Sequence, residues 1–364
     1  MSKPLVIDLI VGCRPNFVKA AAILHAAKSY PDVKINLVHT GQHTSDLSDP
    51  FFYELDLPIP PPNRRFICPV FNNPVARLAR IVEWLGEVFE DDKPDVVMVV
   101  GDTDSTLAGA LAAAKLNICL VHVEAGLRCG DMMMQEELNR RLVDSVSDIC
   151  YTTTEAARET LIAEGHNPEL VKFVGNVMVD TLCRLLPDAE KRYQHGWESP
   201  YAVLTLHRAE TVDHNEIVFP LLDTVRKVAE SINVIWPVHP RIRSRIGAWK
   251  CEGQFARREP MGYLKFISLL ASAKFVMTDS GGVQEETTAL GIPCLTLRPS
   301  TERPETVSMG SNYVVGINPG VIYDEAMTTL AGRHRDFPNG YGKPPLWDGH
   351  AADRILADIV GRNQ

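Results

Sequence analysis

The sequence predicts an α/β protein made of two doubly wound, parallel-sheet domains, and three observations predict it. At 364 residues and 40.4 kDa the chain exceeds the size at which one hydrophobic core keeps growing, so two domains are expected. Short β-branched apolar runs recur, each followed by a turn and a helix-like stretch, as parallel strands covered on both faces require. The polar motifs fall at the ends of those runs, where open parallel sheets bind their ligands.

In the first half the runs are Leu5 to Val11, Lys34 to His39, Val96 to Val100 and Ile118 to Val123. Val171 to Val174 follows, then a helix over Val177 to Arg184 and a polar stretch, Asp188 to Pro200, whose composition suits a hinge or linker. Alternation resumes with Tyr201 to Leu206, Val234 to Val238, Phe275 to Thr278 and Cys294 to Leu297, a second parallel sheet. The domains are drawn at 1–175 and 176–346, and the cleft between their strand ends is the expected site. A last helix, about Gly349 to Val360, has no strand after it, and its pattern suits packing on either domain. The Pro58 to Asn63 run marks an irregular loop.

Composition bounds the partners. With 37 basic and 46 acidic residues the net charge is -9, which opposes nonspecific attraction to nucleic acid or to an anionic membrane. Bound phosphates must therefore meet a local basic cluster. The eight cysteines form no CxxC pair and several sit in apolar runs, as in Ile118-Cys119-Leu120, which suits free thiols in a reducing compartment. The first residues, Met1-Ser2-Lys3-Pro4, lack the apolar core and cleavage site of a signal peptide, and no segment is apolar for long enough to span a bilayer. A cytoplasmic protein is the expectation.

The first strand runs into Gly12-Cys13-Arg14-Pro15-Asn16-Phe17-Val18-Lys19, which puts Arg14 in the turn and Lys19 about one helical turn on. A helix N-terminus favours anions, and two cations added there suit a diphosphate; solvated surface cations would look the same in sequence. Val96 to Val100 ends in Gly101-Asp102-Thr103, where Asp102 reads either as a helix cap or as a functional acid. The functional reading gains from Glu124, which ends the next strand in His122-Val123-Glu124, because a carboxylate there is costly to bury without a task or a partner. Glu136 and Glu137 follow a methionine-rich loop, Met132 to Met134, that suits a partly dry approach, although a solvated helix face fits them equally. Clustered carboxylates shift one another's pKa values and divide acid and base roles, as removal of a weakly acidic carbon-bound proton requires.

His122 and Glu124 also form half of a zinc deaminase signature, but the PCxxC half is missing, since Pro293-Cys294 runs into Leu295-Thr296-Leu297. No metal is expected. In the second half His207 and His239 end successive strands. Thr278-Asp279-Ser280-Gly281-Gly282-Val283 joins a strand end, two glycines and a helix start, whose amides suit a phosphate. Glu286 lies about one turn, roughly 5 Å, into that helix, within reach of a ribose. Arg298 and Arg303 in the loop after the last strand suit phosphate oxygens.

In this order GCRPNFVK, HTGQH, GDTDST, HVEAGLR, EELNRR, VGNVMVDTL, LHRAE, PVHPR, TDSGGVQEET and TERPETV cover nearly the whole chain, which thereby resembles the non-hydrolysing UDP-N-acetylglucosamine 2-epimerases. The resemblance implies two Rossmann-like domains with parallel sheets facing a central cleft, a glycosyltransferase-B-like fold. It also implies that the C-terminal helix, 347–364, returns to the first domain, and that the protein is a homodimer with no metal or redox cofactor. UDP would lie on the second domain, with Ser280, Gly281 and Gly282 on phosphate, Glu286 on ribose, Arg303 on the diphosphate and Phe266 against uracil. Arg14, Lys19, His207 and His239 would complete the contacts to diphosphate and sugar. The implied chemistry removes the proton at carbon 2 as UDP leaves, giving 2-acetamidoglucal, and then re-adds UDP with protonation of the opposite face. Asp102, Glu124 and Glu136 would be its acids and bases, with His207 assisting the leaving phosphate.

Three departures bear on sugar specificity. Asn16 stands where the family's turn often has glutamate, Gln135 replaces a proline, and the loop after Gly130-Asp131 is short. Gln42 and His43 match a pattern that holds a second, activating UDP-N-acetylglucosamine in some bacterial members, while Thr44-Ser45-Asp46 departs from it. The rival readings are a 2-epimerase of a modified sugar such as UDP-2,3-diacetamido-2,3-dideoxyglucuronate, a hydrolysing epimerase, whose first turn usually reads RADYGK, and a silent UDP-sugar sensor.

Overall fold

The computed structural model describes residues 3–42, 45–67, 73–193, 200–247, 249, 253–333 and 342–363. The chain forms two compact units, Met1–Thr181 with Pro345–Gln364, and Leu182–Pro344.

In the first unit six parallel strands, β1 (Leu5–Val11), β2 (Val33–His39), β3 (Val96–Val100), β4 (Cys119–Ala125), β5 (Ile149–Thr152) and β6 (Val171–Phe173), lie in the order β2-β1-β3-β4-β5-β6. The run Val-Val-Met-Val-Val of β3 is buried throughout, because helices cover both faces of the sheet. Ile10, Val38, Val97 and Val99 pack there against Leu85 and Phe89 of the helix Pro74–Asp92 and Leu107 of the helix Asp104–Lys115. Each such side chain contributes about 1.5–3 kcal/mol on burial.

The second unit repeats the plan with β7 (Tyr201–Thr205), β8 (Asn233–Pro237), β9 (Phe255–Arg258), β10 (Phe275–Thr278), β11 (Cys294–Thr296) and β12 (Asn312–Val314), in the order β12-β11-β10-β7-β8-β9. Its core joins Leu204, Trp236 and Met277 to Leu221 and Val225 of the helix Asn215–Val228. Strand order reverses between β1 and β3 in one unit and between β7 and β10 in the other, which are the points where such sheets bind ligands.

Three strands, β5, β9 and β12, escape the sequence pattern because they are three or four residues long and carry polar residues, as in Phe-Ala-Arg-Arg. The polar stretch expected from Asp188 is helical as far as Arg192, since Val177–Arg192 is one helix with Leu185 and Ala189 buried; residues 194–199 lie outside the described residues. The two units divide within this helix, after Thr181.

The C-terminal helix Ala351–Arg362 packs on Arg14–Ala27 of the first unit. Asp180 accepts the Ala352 amide at 2.7 Å, and the Trp347 indole donates to the Thr153 carbonyl at 3.0 Å. Burial, against the Ala351 and Ala352 amides, pushes the Asp180 carboxyl up to about 6.

Candidate functional site

At the first switch point the turn after β1 is wired to β3. The Asn16 side-chain oxygen accepts the Gly12 and Cys13 amides at 3.2 and 3.3 Å, while its amide donates to the Val100 carbonyl at 2.9 Å. The residue that departs from the family's glutamate is thus a brace between two strand ends. Arg14 lies with its guanidinium 5.0 Å from the Phe51 ring centroid.

Lys19 is buried, and its ammonium lies 2.6 Å from the Glu124 carboxylate, also buried. Two backbone features make room for that pair. Gly101 has φ +71°, and a Cβ there would stand 2.5 Å from the Lys19 nitrogen, so both its conformation and its empty side demand glycine. Glu124 itself has φ 71° and sits at a register shift between Val123 and Ala125, a bulge that re-aims a side chain at some cost in strain.

Asp102 is not the helix cap. Thr103 takes that place, its hydroxyl accepting the Thr106 amide, which leaves the Asp102 carboxylate for Arg140 at 2.7 Å. Asn139 donates to the Asp102 carbonyl at 3.0 Å. Of the paired glutamates, Glu137 is an anchor: it is buried, accepts the Cys129 amide at 3.0 Å and pairs with Arg140 and Arg141. Burial opposes its charge, but the Cys129 amide and Arg140 outweigh burial and hold its pKa at about 2. Glu136 is half-buried, and its side chain makes no hydrogen bond or ion pair with another described residue. The methionine loop is wetter than expected, with Met133 87% exposed.

His122 is committed elsewhere than to a metal, with Nδ1 on Asp144 at 2.7 Å and Nε2 on the Gly101 carbonyl at 2.8 Å. Among the described residues no group of three or more His, Cys, Asp or Glu is placed to hold a metal ion. Gln42 accepts from the Ser105 hydroxyl at 2.7 Å, while His43 lies outside the described residues.

At the second switch point Asp279, fully buried after β10, reaches the end of β7. It accepts the His207 and Arg208 amides at 3.0 Å and the His207 ring Nδ1 at 2.9 Å. Burial works against its charge, yet the His207 ring and the two amides outweigh burial and keep its carboxyl below the usual range. The His239 ring lies 5.6 Å from that of His207, and its Nδ1 accepts the Arg241 amide at 3.2 Å.

Ser280 caps the helix Gly281–Leu290 with backbone alone, so the amides of its first turn are open to an acceptor. Gly281 is needed for space, because a Cβ there would lie 2.4 Å from the Arg303 guanidinium; Gly282 follows in the same turn. Arg303 pairs with Glu285 at 2.9 Å and with Glu302, which also meets Arg298 at 2.9 Å and Arg208 at 3.2 Å. Burial resists the Glu302 charge, but Arg303, Arg208 and Arg298 overcome burial and hold its carboxyl far below the usual range. Three guanidiniums thus gather around Glu302 beside the helix start. Glu286 is buried in that helix, and Phe266 packs with Tyr201, Val203 and Leu269.

Sequence reasoning named the strand ends but not Asp279, Arg140, Asn139, Asp144 or Glu302 as parts of the site. Asp279 stood inside a quoted motif, and a carboxylate directly after a buried strand was the available signal.

Two Rossmann-like units, one with carboxylates and a buried ammonium at its switch point and the other with an anion-ready helix start, define an α/β enzyme of the glycosyltransferase-B-like class. The family model for UDP-N-acetylglucosamine 2-epimerase matches residues 25–360. A UDP-N-acetylglucosamine 2-epimerase from Methanocaldococcus jannaschii is 36% identical, across 96% of this chain and 97% of its own. A UDP-2,3-diacetamido-2,3-dideoxy-D-glucuronate 2-epimerase from Pseudomonas aeruginosa is also 36% identical, across 95% and 97%. Among solved structures, that of the M. jannaschii enzyme in complex with UDP-GlcNAc and UDP superposes with a TM-score of 0.86 at 34% identity, covering 98% of this chain and 99% of the other. The Neisseria meningitidis UDP-GlcNAc 2-epimerase bound to UDP-GlcNAc gives 0.86 at 26% identity, covering 98% and 100%. The chain therefore belongs to the UDP-N-acetylglucosamine 2-epimerase family, whose members are isomerases acting on carbohydrates.

Proposed function

We propose that the chain interconverts UDP-N-acetylglucosamine and UDP-N-acetylmannosamine without releasing free sugar. The observation that carries this reading is the buried Lys19–Glu124 pair beside Gly101 and Asp102, at the ends of adjacent strands β3 and β4. Inverting carbon 2 requires a base on one face and an acid on the other, and Asp102, Glu124 and Glu136 are the groups assigned to those roles. One carboxylate takes the carbon 2 proton as the bond from carbon 1 to the UDP oxygen breaks, leaving 2-acetamidoglucal. The oxygen then re-adds to carbon 1 as carbon 2 takes a proton on its other face, so atoms balance and no redox cofactor is needed.

Charge grows on the departing diphosphate, and donors fixed in advance stabilise it most. The Ser280, Gly281 and Gly282 backbone, Arg303 and His207 are assigned to that task, with Glu286 on ribose, Phe266 towards uracil, and Arg14, Lys19 and His239 on diphosphate and sugar. We further propose a cytoplasmic homodimer without nucleic-acid or membrane partners. The side chains of Leu138, Leu142 and Val146, four residues apart on the helix Gln135–Val146 and 36–41% exposed, support a second copy as partner.

The Pseudomonas relative favours one second reading, a substrate with an acetamido group at carbon 3 and a carboxylate at carbon 6. The purified protein is to be given each UDP-sugar in turn and the products separated by chromatography. UDP-N-acetylmannosamine is the expected product. Free N-acetylmannosamine with UDP would select hydrolysis, and turnover of the diacetamido-uronate alone would select the second reading.

A further inference from the structure

Both ring nitrogens of fully buried His122 face acceptors. Nε2 lies 2.8 Å from the Gly101 carbonyl oxygen, which can only accept, so Nε2 carries a hydrogen. Nδ1 lies 2.7 Å from Asp144 Oδ1. That carboxylate also accepts from two other donors, since Oδ2 takes the Gly126 amide at 3.2 Å and the Arg128 guanidinium at 2.7 Å. Nδ1 thus faces a carboxylate already paired with Arg128, and acceptors on both sides of the ring are the pattern that an imidazolium satisfies.

The charged and titratable groups around it come from every neighbouring element. Asp144 lies on the helix Gln135–Val146, Arg128 in the loop after β4, Glu124 two residues along β4, and Asp102 directly after Gly101. Cys150 is in register across β5, and burial pushes its thiol up, so it stays neutral.

The peptide that His122 grips is the one that leads into Asp102. The Gly101 amide donates to the Val123 carbonyl at 3.0 Å, Asn139 holds the Asp102 carbonyl at 3.0 Å, and Arg140 holds the carboxylate at 2.7 Å. The Gly101 carbonyl is a further handle on this segment, and His122 occupies it. We propose that His122 and Asp144 are positioning residues, an imidazolium–carboxylate pair that locks the Gly101–Asp102 peptide and thereby aims the Asp102 carboxylate. What Asp102 does rests on the epimerase reading above; the charge state of the ring does not.

Two substitutions separate the two hydrogen bonds. His122→Gln reaches the Gly101 carbonyl with its amide, whereas His122→Asn keeps the Asp144 contact and falls short of Gly101. In the epimerase assay H122N is expected to lose about ten- to a hundredfold in kcat with KM within about threefold, and H122Q to regain most of the loss. Wild-type kcat in H122N, or equal losses in both variants, would overturn the positioning role. The unmodified protein, labelled with 15N-histidine, tests the charge without any variant having to fold. Both His122 nitrogens are expected at the shifts of protonated nitrogens at pH 7.5, and one unprotonated nitrogen would overturn the proposal. If the unmodified enzyme turned over no UDP-sugar, the epimerase reading would fail, and the ring spectrum would still decide the imidazolium.

Discussion

Lys19 and Glu124 form an ion pair of 2.6 Å in which both side chains are almost wholly out of water. Removing one partner of such a pair leaves a buried charge uncompensated, which costs about 3–5 kcal/mol. Lys19→Met is therefore expected to lower unfolding free energy in urea by about that amount, and Lys19→Met with Glu124→Leu by clearly less than the two single losses together. Strict additivity in the double-mutant cycle would contradict the pairing.

Asp279 holds His207 through its own amide, the next amide and the ring. Asp279→Asn leaves one of those donors facing an NH2 group. The expected result is a fall of about tenfold or more in kcat, with KM changed far less, because the His207 ring loses its aim rather than its presence. Unaltered kcat in a folded D279N protein would remove His207 orientation from the account.

Arg303 touches Glu285 and Glu302 through different nitrogens of one planar group. Lysine carries the charge but not the fork. Arg303→Lys is expected to weaken UDP binding by about tenfold or more in calorimetry, while Lys265→Arg on the helix Tyr263–Ala271 leaves it within about twofold. Equal affinities for R303K and the native protein would exclude Arg303 from the diphosphate.

Asp8 sets a pH dependence of stability. Burial raises its carboxyl from 3.8 to about 6, and the Asn36 amide at 2.8 Å only partly offsets burial. The folded state thus binds the proton more tightly than the unfolded chain. The stability linked to that proton is fully present below 3.8 and is lost as pH rises through about 6. Asp8→Asn keeps the shape without the charge, so it is expected to exceed the native protein by about 2–3 kcal/mol at pH 8 and to converge with it towards pH 4. Parallel stability curves for the two proteins across that range would contradict the buried charge.

Legibility in the sequence followed burial. β1, β3, β4, β7, β8 and β10 stand out because a central parallel strand is apolar on both faces, whereas β9 spends two of its four residues on arginine. Asp102 and Glu124 were visible as acids ending such strands. Glu137, Arg140 and Asp144 share one helix face at spacings of three and four, which the sequence shows, but that this face wires the ends of β3 and β4 is a tertiary fact. Nothing in Glu302 separates it from a surface glutamate until Arg208, from a distant strand end, joins Arg298 and Arg303 around it.

The central claim is that a carboxylate takes the proton from carbon 2 of the sugar while it is joined to UDP. Incubation of the protein with UDP-N-acetylglucosamine in deuterated water, followed by proton NMR of carbon 2 and of the anomeric signals, tests it most directly. The account predicts UDP-N-acetylmannosamine carrying deuterium at carbon 2 and, as equilibrium is approached, the same label in the remaining UDP-N-acetylglucosamine. Epimerised product that retains the original hydrogen would contradict it.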